Sequence, residues 1–182
     1  MTVSDATVHS PAFLSPAWVD SVREALDSGP DEQAREHKLA EYWDFYAKAR
    51  SEYRSTWALG VQNLPEELGD PVAYLLVGWS EDRVTECRVV RGAPPAEATY
   101  TLMADYRDWR ALFGGYDALR TVMYRKMVLE SGPLLEFFKA IYFFVESLTL
   151  IARVPTSFPE PVSAQSPSRR RRRSKRARPA RH

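Results

Sequence analysis

The chain has one cysteine, Cys87, and three histidines among its 182 residues. A single sulfur excludes a disulfide framework, and it excludes zinc or iron–sulfur sites that need several thiolates converging on one ion. Of His9, His37 and His182, only His37 falls inside the expected fold. It stands four residues before Glu41, a pair that could touch one metal. No Glu-x-x-His motif accompanies it, and such pairs are ordinary on a solvated helix face. The eight glycines never fall two apart, so the chain has neither a dinucleotide-binding G-x-G-x-x-G nor a phosphate-cradling loop. Gly78-Trp79-Ser80-Glu81-Asp82 has the outline of a nucleophile elbow, but Asp82 replaces the second glycine and the segment joins two strand-like runs, so it reads as a hairpin turn. Cys87 has no neighbouring histidine to activate it and reads as a packed or surface thiol. The most apolar stretch, residues 134–152, is interrupted by Glu136, Lys139 and Glu146 and falls short of the roughly 20 clean residues of a membrane span. The first 14 residues carry no basic residue ahead of an apolar run and do not read as a signal peptide, so a cytoplasmic location is expected. These absences point away from an enzyme with its own catalytic residues and imply neither metal nor cofactor.

Charge is unevenly placed. Nine of the 25 basic residues lie in residues 169–182, leaving 16 against all 24 acidic ones, so the rest of the chain carries a net of about −8. The run Arg169, Arg170, Arg171, Arg172 and Arg173, followed by Lys175 and Arg176, comes after a linker rich in proline and serine. Lacking apolar residues larger than alanine, this segment has nothing to offset the entropy of ordering, and disorder is expected from about residue 160. The expected organisation is a leader over 1–10, one domain over 11–158 and a basic tail over 159–182.

Periodicity divides the domain into helices and strands. Ser15-Pro16 opens a helix over about 16–28 with Val19, Val22 and Leu26 on one stripe, ended by Gly29-Pro30. Asp31 can cap a second helix carrying Leu39, Tyr42, Trp43 and Tyr46. Alternation over 53–61, 72–79, 83–91 and 98–104 gives strands, with Ser80-Glu81-Asp82 as a hairpin loop, and the four read as an antiparallel meander. Asp105 is an N-cap for a helix with Trp109, Leu112 and Phe113, followed by a short helix over 116–123 and a strand over 125–130. Gly132-Pro133 opens a final helix over about 133–150 that is apolar nearly all round, so something must cover it.

The run over residues 98–115, ATYTLMADYRDWRALFGG, and the run over 124–132, YRKMVLESG, resemble the strand-to-helix signature and last strand of the sterol carrier protein type 2-like family, in its single-domain bacterial form. Ala104 stands where many members have glycine, and residues 28–64 diverge. The resemblance implies an α+β domain: a five-stranded, mainly antiparallel sheet covered by helices around an apolar cavity for a lipid, fatty-acyl or sterol-like ligand. Facing walls for such a cavity are offered by Trp57, Leu59, Leu102 and, on the same sheet face, Tyr100, by Trp109, Leu112 and Phe113 on the helix after Asp105, and by Met127 on the last strand. Phe137, Phe138, Ile141, Tyr142 and Val145 on the final helix complete the set. The same residues at these spacings are also what a plain core requires.

The expected function is non-catalytic carriage of an apolar ligand. An alternative is an accessory protein that shelters or rearranges an apolar intermediate for a partner enzyme, with Asp105, Asp108 and Glu130 as its available carboxylates. The tail can meet a polyanion; no aromatic interleaves its arginines to stack on bases, and a lipid carrier gains from being held near a bilayer, so an anionic membrane surface fits better than nucleic acid. A plain solvated tail, or one folded back on the acidic body, is the alternative. Tyr42, Trp43 and Tyr46 exceed what a short helix needs for docking, which fits either a pocket cover or a homodimer contact.

Overall fold

The computed structural model describes residues 10–159; the basic run 169–182 lies outside them. Helix α1 (Pro16–Ser28) starts as its sequence dictates, with the Ser15 hydroxyl accepting the Trp18 N–H at 3.2 Å and proline at the first turn. Its stripe of Trp18, Val19, Val22 and Leu26 is buried. The expected second helix is instead two pieces, α2 (Glu32–Arg35) and α3 (Ala40–Glu52). The interruption has a local cause. The Trp43 indole N–H donates to the Arg35 carbonyl at 3.1 Å, and Lys38 turns inward to pair with Glu146, so the helix stops at its Glu36 cap and resumes at Ala40.

The sheet comprises β1 (Arg54–Gln62), β2 (Val72–Ser80), β3 (Arg83–Arg91), β4 (Tyr100–Asp105) and β5 (Met127–Ser131) in the order β3-β2-β1-β4-β5. Three of the four pairings are antiparallel, as expected, but β4 runs parallel to β1, so the first four strands are not a simple meander. Burial explains the correction. β4 is apolar and almost wholly buried, whereas β3 exposes Arg83, Thr85, Arg88 and Arg91 and suits a sheet edge. The chain therefore crosses from β3 to the free side of β1, where Trp57 faces Tyr100 and Leu59 faces Leu102 in register. The β2–β3 turn is the expected hairpin; Glu81 and Asp82 both take positive φ, 47° and 73°, the twist that a two-residue connection needs.

Helices α4 (Tyr106–Phe113) and α5 (Ala118–Met123) follow β4, with Asp105 capping α4 through the Arg107 N–H at 3.0 Å. The expected final helix is broken at Ala140 into α6 (Leu134–Lys139) and α7 (Ile141–Arg153). The two parts serve different places. Only Phe137 of α6 is buried, whereas α7 buries eight residues, among them Phe143, Phe144, Leu148 and Ile151.

One main core lies between the helices and a single sheet face: Trp57, Leu75, Val77 and Leu102 meet Trp18, Leu26, Trp109, Phe143 and Phe144. A smaller cluster of Ala58, Tyr74, Leu76 and Met103 covers the opposite face. The two ends of the domain are joined, with Phe13 N–H to the Ser157 carbonyl and Ser157 N–H to the Pro11 carbonyl, both at 2.9 Å. Among the described residues no helix is long and apolar enough to cross a membrane, and no cluster of acidic, histidine and cysteine side chains could hold a metal.

Candidate ligand-binding cleft

Helices α3 and α6 face each other across the end of the sheet where β1 and β4 begin, and between them lies an open cleft of about 580 Å³. Its apolar lining comes from Phe45, Ala49 and Tyr53 on one side, Pro133 and Ala140 on the other, and Tyr100 from the sheet. Charged groups ring it. Lys139 pairs with Glu136 at 2.7 Å and Arg54 with Glu81. Beside the cleft, α6 and the start of α7 expose Leu134, Leu135, Phe138 and Tyr142, Leu135 at 77%. The Tyr142 ring lies 6.5 Å from that of Phe45, so this apolar belt is continuous with the cleft's rim.

On its other side α3 borders a second cleft of about 410 Å³, lined by Trp43, Tyr46 and Arg50 of α3 together with Gly29, Pro30 and Asp82. Its base is polar and paired. The buried Arg50 guanidinium forms an ion pair with Asp82 and donates to the Asp27 carbonyl at 2.8 Å. At the opposite end of α3, the Tyr42 hydroxyl donates to the buried Glu146 carboxylate at 2.6 Å, and Lys38 pairs with the same oxygen. Burial, reinforced by that carboxylate, pushes the Tyr42 hydroxyl well above the ordinary tyrosine range. Helix α3 is thus clasped at both ends by polar contacts.

Beneath α3 the interior is aromatic. Tyr53, Trp57 and Trp79 all pack around Phe143, with ring centroids 4.8, 5.6 and 5.0 Å from it. The Tyr53 hydroxyl accepts the Trp57 indole N–H at 2.8 Å, and burial pushes its pKa up to about 12.

The twelve residues named from sequence fall into three groups. Trp57, Leu59, Leu102, Trp109, Leu112, Met127, Phe137 and Val145 are buried in the main core, and Phe113 and Ile141 pack against it half-buried. Phe138 and Tyr142 are exposed in the belt beside the cleft. None of these twelve lines the cleft itself; Tyr100, also read from sequence as part of the sheet wall, does. The lining residues sequence reasoning passed over, such as Phe45, Ala49, Pro133 and Ala140, share no motif, and their only common signal is position on elements that bury little. The other candidates have structural roles: Asp105 caps α4 and Asp108 pairs with Lys126 at 2.9 Å. Glu130 is exposed, and His37 sits exposed in the bend before α3.

No family model matches the chain, and no curated protein matches it. Among solved structures, a crystal structure of sterol carrier protein 2 superposes with a TM-score of 0.60 at 20% identity, covering 78% of this chain and 98% of that one. A solution structure of a conserved hypothetical protein from Thermus thermophilus, described as possibly a sterol carrier protein, gives 0.59 at 19% identity, covering 84% and 99%. The order of strands and the placing of helices on one sheet face are therefore those of a sterol carrier protein 2-like fold.

Proposed function

We propose that the protein binds and carries an apolar ligand without catalysing its conversion. The observation that carries this reading is the cleft between α3 and α6: about 580 Å³, apolar at its floor and continuous with an exposed apolar belt. That volume lies within the range of small-molecule pockets, and binding would draw on apolar transfer at about 25 cal/mol per Å² removed from water. The sterol carrier protein 2-like fold supports the same reading. Phe137 packs 5.5 Å from Tyr100, and Trp57 packs 5.5 Å from Tyr53, directly behind two rings of the cleft lining. These core residues, with the others named from sequence, are the walls a ligand reaches when it passes the floor. The apolar belt of α6 and the arginine-rich segment together form a docking device for an anionic bilayer, where the ligand is collected or delivered.

Native mass spectrometry of the freshly purified protein, followed by organic extraction, tests the reading. The expected result is a stoichiometric apolar adduct that is reduced at least tenfold by Ala49→Trp, which fills the cleft. A protein that arrives empty and takes up no alkyl probe overturns it.

A further inference from the structure

The buried carboxylate of Glu146 lies outside the cleft lining, on α7, with 5% of the residue exposed. Its Oε1 accepts the Tyr42 hydroxyl at 2.6 Å and pairs with the Lys38 ammonium. That ammonium is the centre of a larger arrangement. The Lys38 Nζ lies 4.5 Å from the centroid of the Tyr42 ring, 5.4 Å from that of Trp43 and 3.4 Å from the Tyr42 hydroxyl. The two rings stand edge to face, 5.0 Å apart, and Tyr142 packs against Tyr42 at 5.7 Å. Two aromatic rings and a buried carboxylate therefore meet at one atom. This is a cation site, and the chain's own lysine fills it.

A primary ammonium matches such a place poorly. It carries three N–H donors and is strongly hydrated, whereas ring faces give it no proper acceptors. A quaternary ammonium has no N–H to satisfy, and aromatic rings around a cation are the arrangement that recognises it. Exchanging it for Lys38 returns the lysine to water, leaves Glu146 its Tyr42 hydrogen bond, and keeps the buried charge matched. Lys38 can leave without unwinding a helix: it belongs to the bend 36–39 between α2 and α3, where every residue is exposed. Glu36 lines the recess there together with Lys38 and Tyr42, so an anionic group beside the cation is repelled and a plain quaternary ammonium is favoured over a zwitterionic head. The place also suits a ligand of the cleft. Tyr142 bridges Tyr42 and Phe45, with centroids 5.7 and 6.5 Å away, and Phe45 lines the cleft.

We propose that the ligand carried in the cleft ends in a quaternary ammonium, which displaces Lys38 and is held by the Tyr42 and Trp43 rings and the Glu146 carboxylate. This assignment rests on the carrier reading and adds a cationic end to a ligand that is otherwise apolar. Lys38 then acts as a tethered competitor, matching the buried carboxylate while no ligand is bound.

The experiment titrates decanol, decylammonium and decyltrimethylammonium, each below its micellar concentration, into the full chain by calorimetry. Decyltrimethylammonium is expected to bind about tenfold more tightly than decanol, with decylammonium between them. Lys38→Met should tighten the quaternary ligand severalfold and leave decanol unchanged, because it removes the competitor; loss of a purely structural lysine has no such sign. Glu146→Gln, which keeps the shape and an acceptor for Tyr42, should abolish the advantage over decanol. The Tm of Lys38→Met, lowered by its unmatched carboxylate, should rise with tetramethylammonium chloride and not with equal sodium chloride. Equal gains for the primary and the quaternary ammonium overturn the assignment, since the acidic body then attracts any cation. Decanol binding as tightly as decyltrimethylammonium overturns it too. So does Lys38→Met without tightening or rescue, which marks Lys38 and Glu146 as a structural ion pair only. In each of these cases the carrier reading stands. Failure of all three alkyl probes to bind overturns the carrier reading itself, and this assignment with it.

Discussion

Cys87 shows how position rather than residue type sets reactivity. It lies on β3 with its sulfur 3.8 Å from the Val19 carbonyl, and burial pushes its pKa up to about 12. The thiolate, which is the reactive form, is therefore almost absent at neutral pH. Iodoacetamide at about pH 8 should modify the native protein far more slowly than the urea-unfolded chain, whose thiol titrates near its ordinary value of about 8.5; comparable rates would contradict the burial described. The same shift has a consequence for stability. Cys87 and Tyr53 both have folded-state pKa values raised to about 12, so their protonated forms are favoured by folding. That contribution is complete below the unfolded pKa values and is lost as pH rises from about 9 through 12. Urea midpoints measured across this range should fall with increasing pH, and part of the fall should disappear in Cys87→Ala.

At the scale of elements, α3 is fixed less by apolar packing than by its two polar clasps. Lys38→Met leaves the buried Glu146 carboxylate with only the Tyr42 hydroxyl, at 2.6 Å. An unpaired buried charge costs stability, so α3 should loosen locally before the molecule unfolds. Hydrogen exchange of this variant should show protection falling by about tenfold or more over Ala40–Glu52 while α7 keeps its protection. A uniform loss over both helices would mean that the clasp holds the whole core instead.

The bounds of α1, β2 and β3 were legible in the sequence because each is defined by local chemistry: a serine cap before proline, a two-residue turn, an alternating run. The division at Ala140 was not, because α6 and α7 differ in what surrounds them and not in apolar content. The parallel partner of β4 was equally hidden, since nothing in residues 98–105 states which strand edge is free. The cleft was harder to read than the core for a related reason. Phe137 and Trp57 announce themselves by apolarity, whereas Ala49, Ala140 and Pro133 become a lining only when α3 and α6 are set opposite each other.

For the whole molecule, the main asymmetry is electrical: about −8 over residues 1–168 against nine positive charges in the last 14. Each basic residue near an anionic bilayer contributes about 1 kcal/mol, and the attraction is screened by salt. The full chain should therefore sediment with phosphatidylserine vesicles at low ionic strength, release as salt is raised, and ignore phosphatidylcholine vesicles. Replacing Arg169, Arg170, Arg171, Arg172 and Arg173 with alanine should abolish sedimentation without changing occupancy of the cleft; undiminished sedimentation would remove the tail's proposed role. The strand order carries a different consequence, for the time during which the chain is made. β1, β2 and β3 are joined by short connections and can pair as they emerge, but the Thr99 N–H meets the Thr56 carbonyl, at 2.8 Å, only after 43 further residues. Until then the growing sheet presents the open edge of β1, from Trp57 to Val61, to every other chain nearby. The arrival of β4 closes that edge, so synthesis stalled between β3 and β4 leaves it open to pairing with another chain.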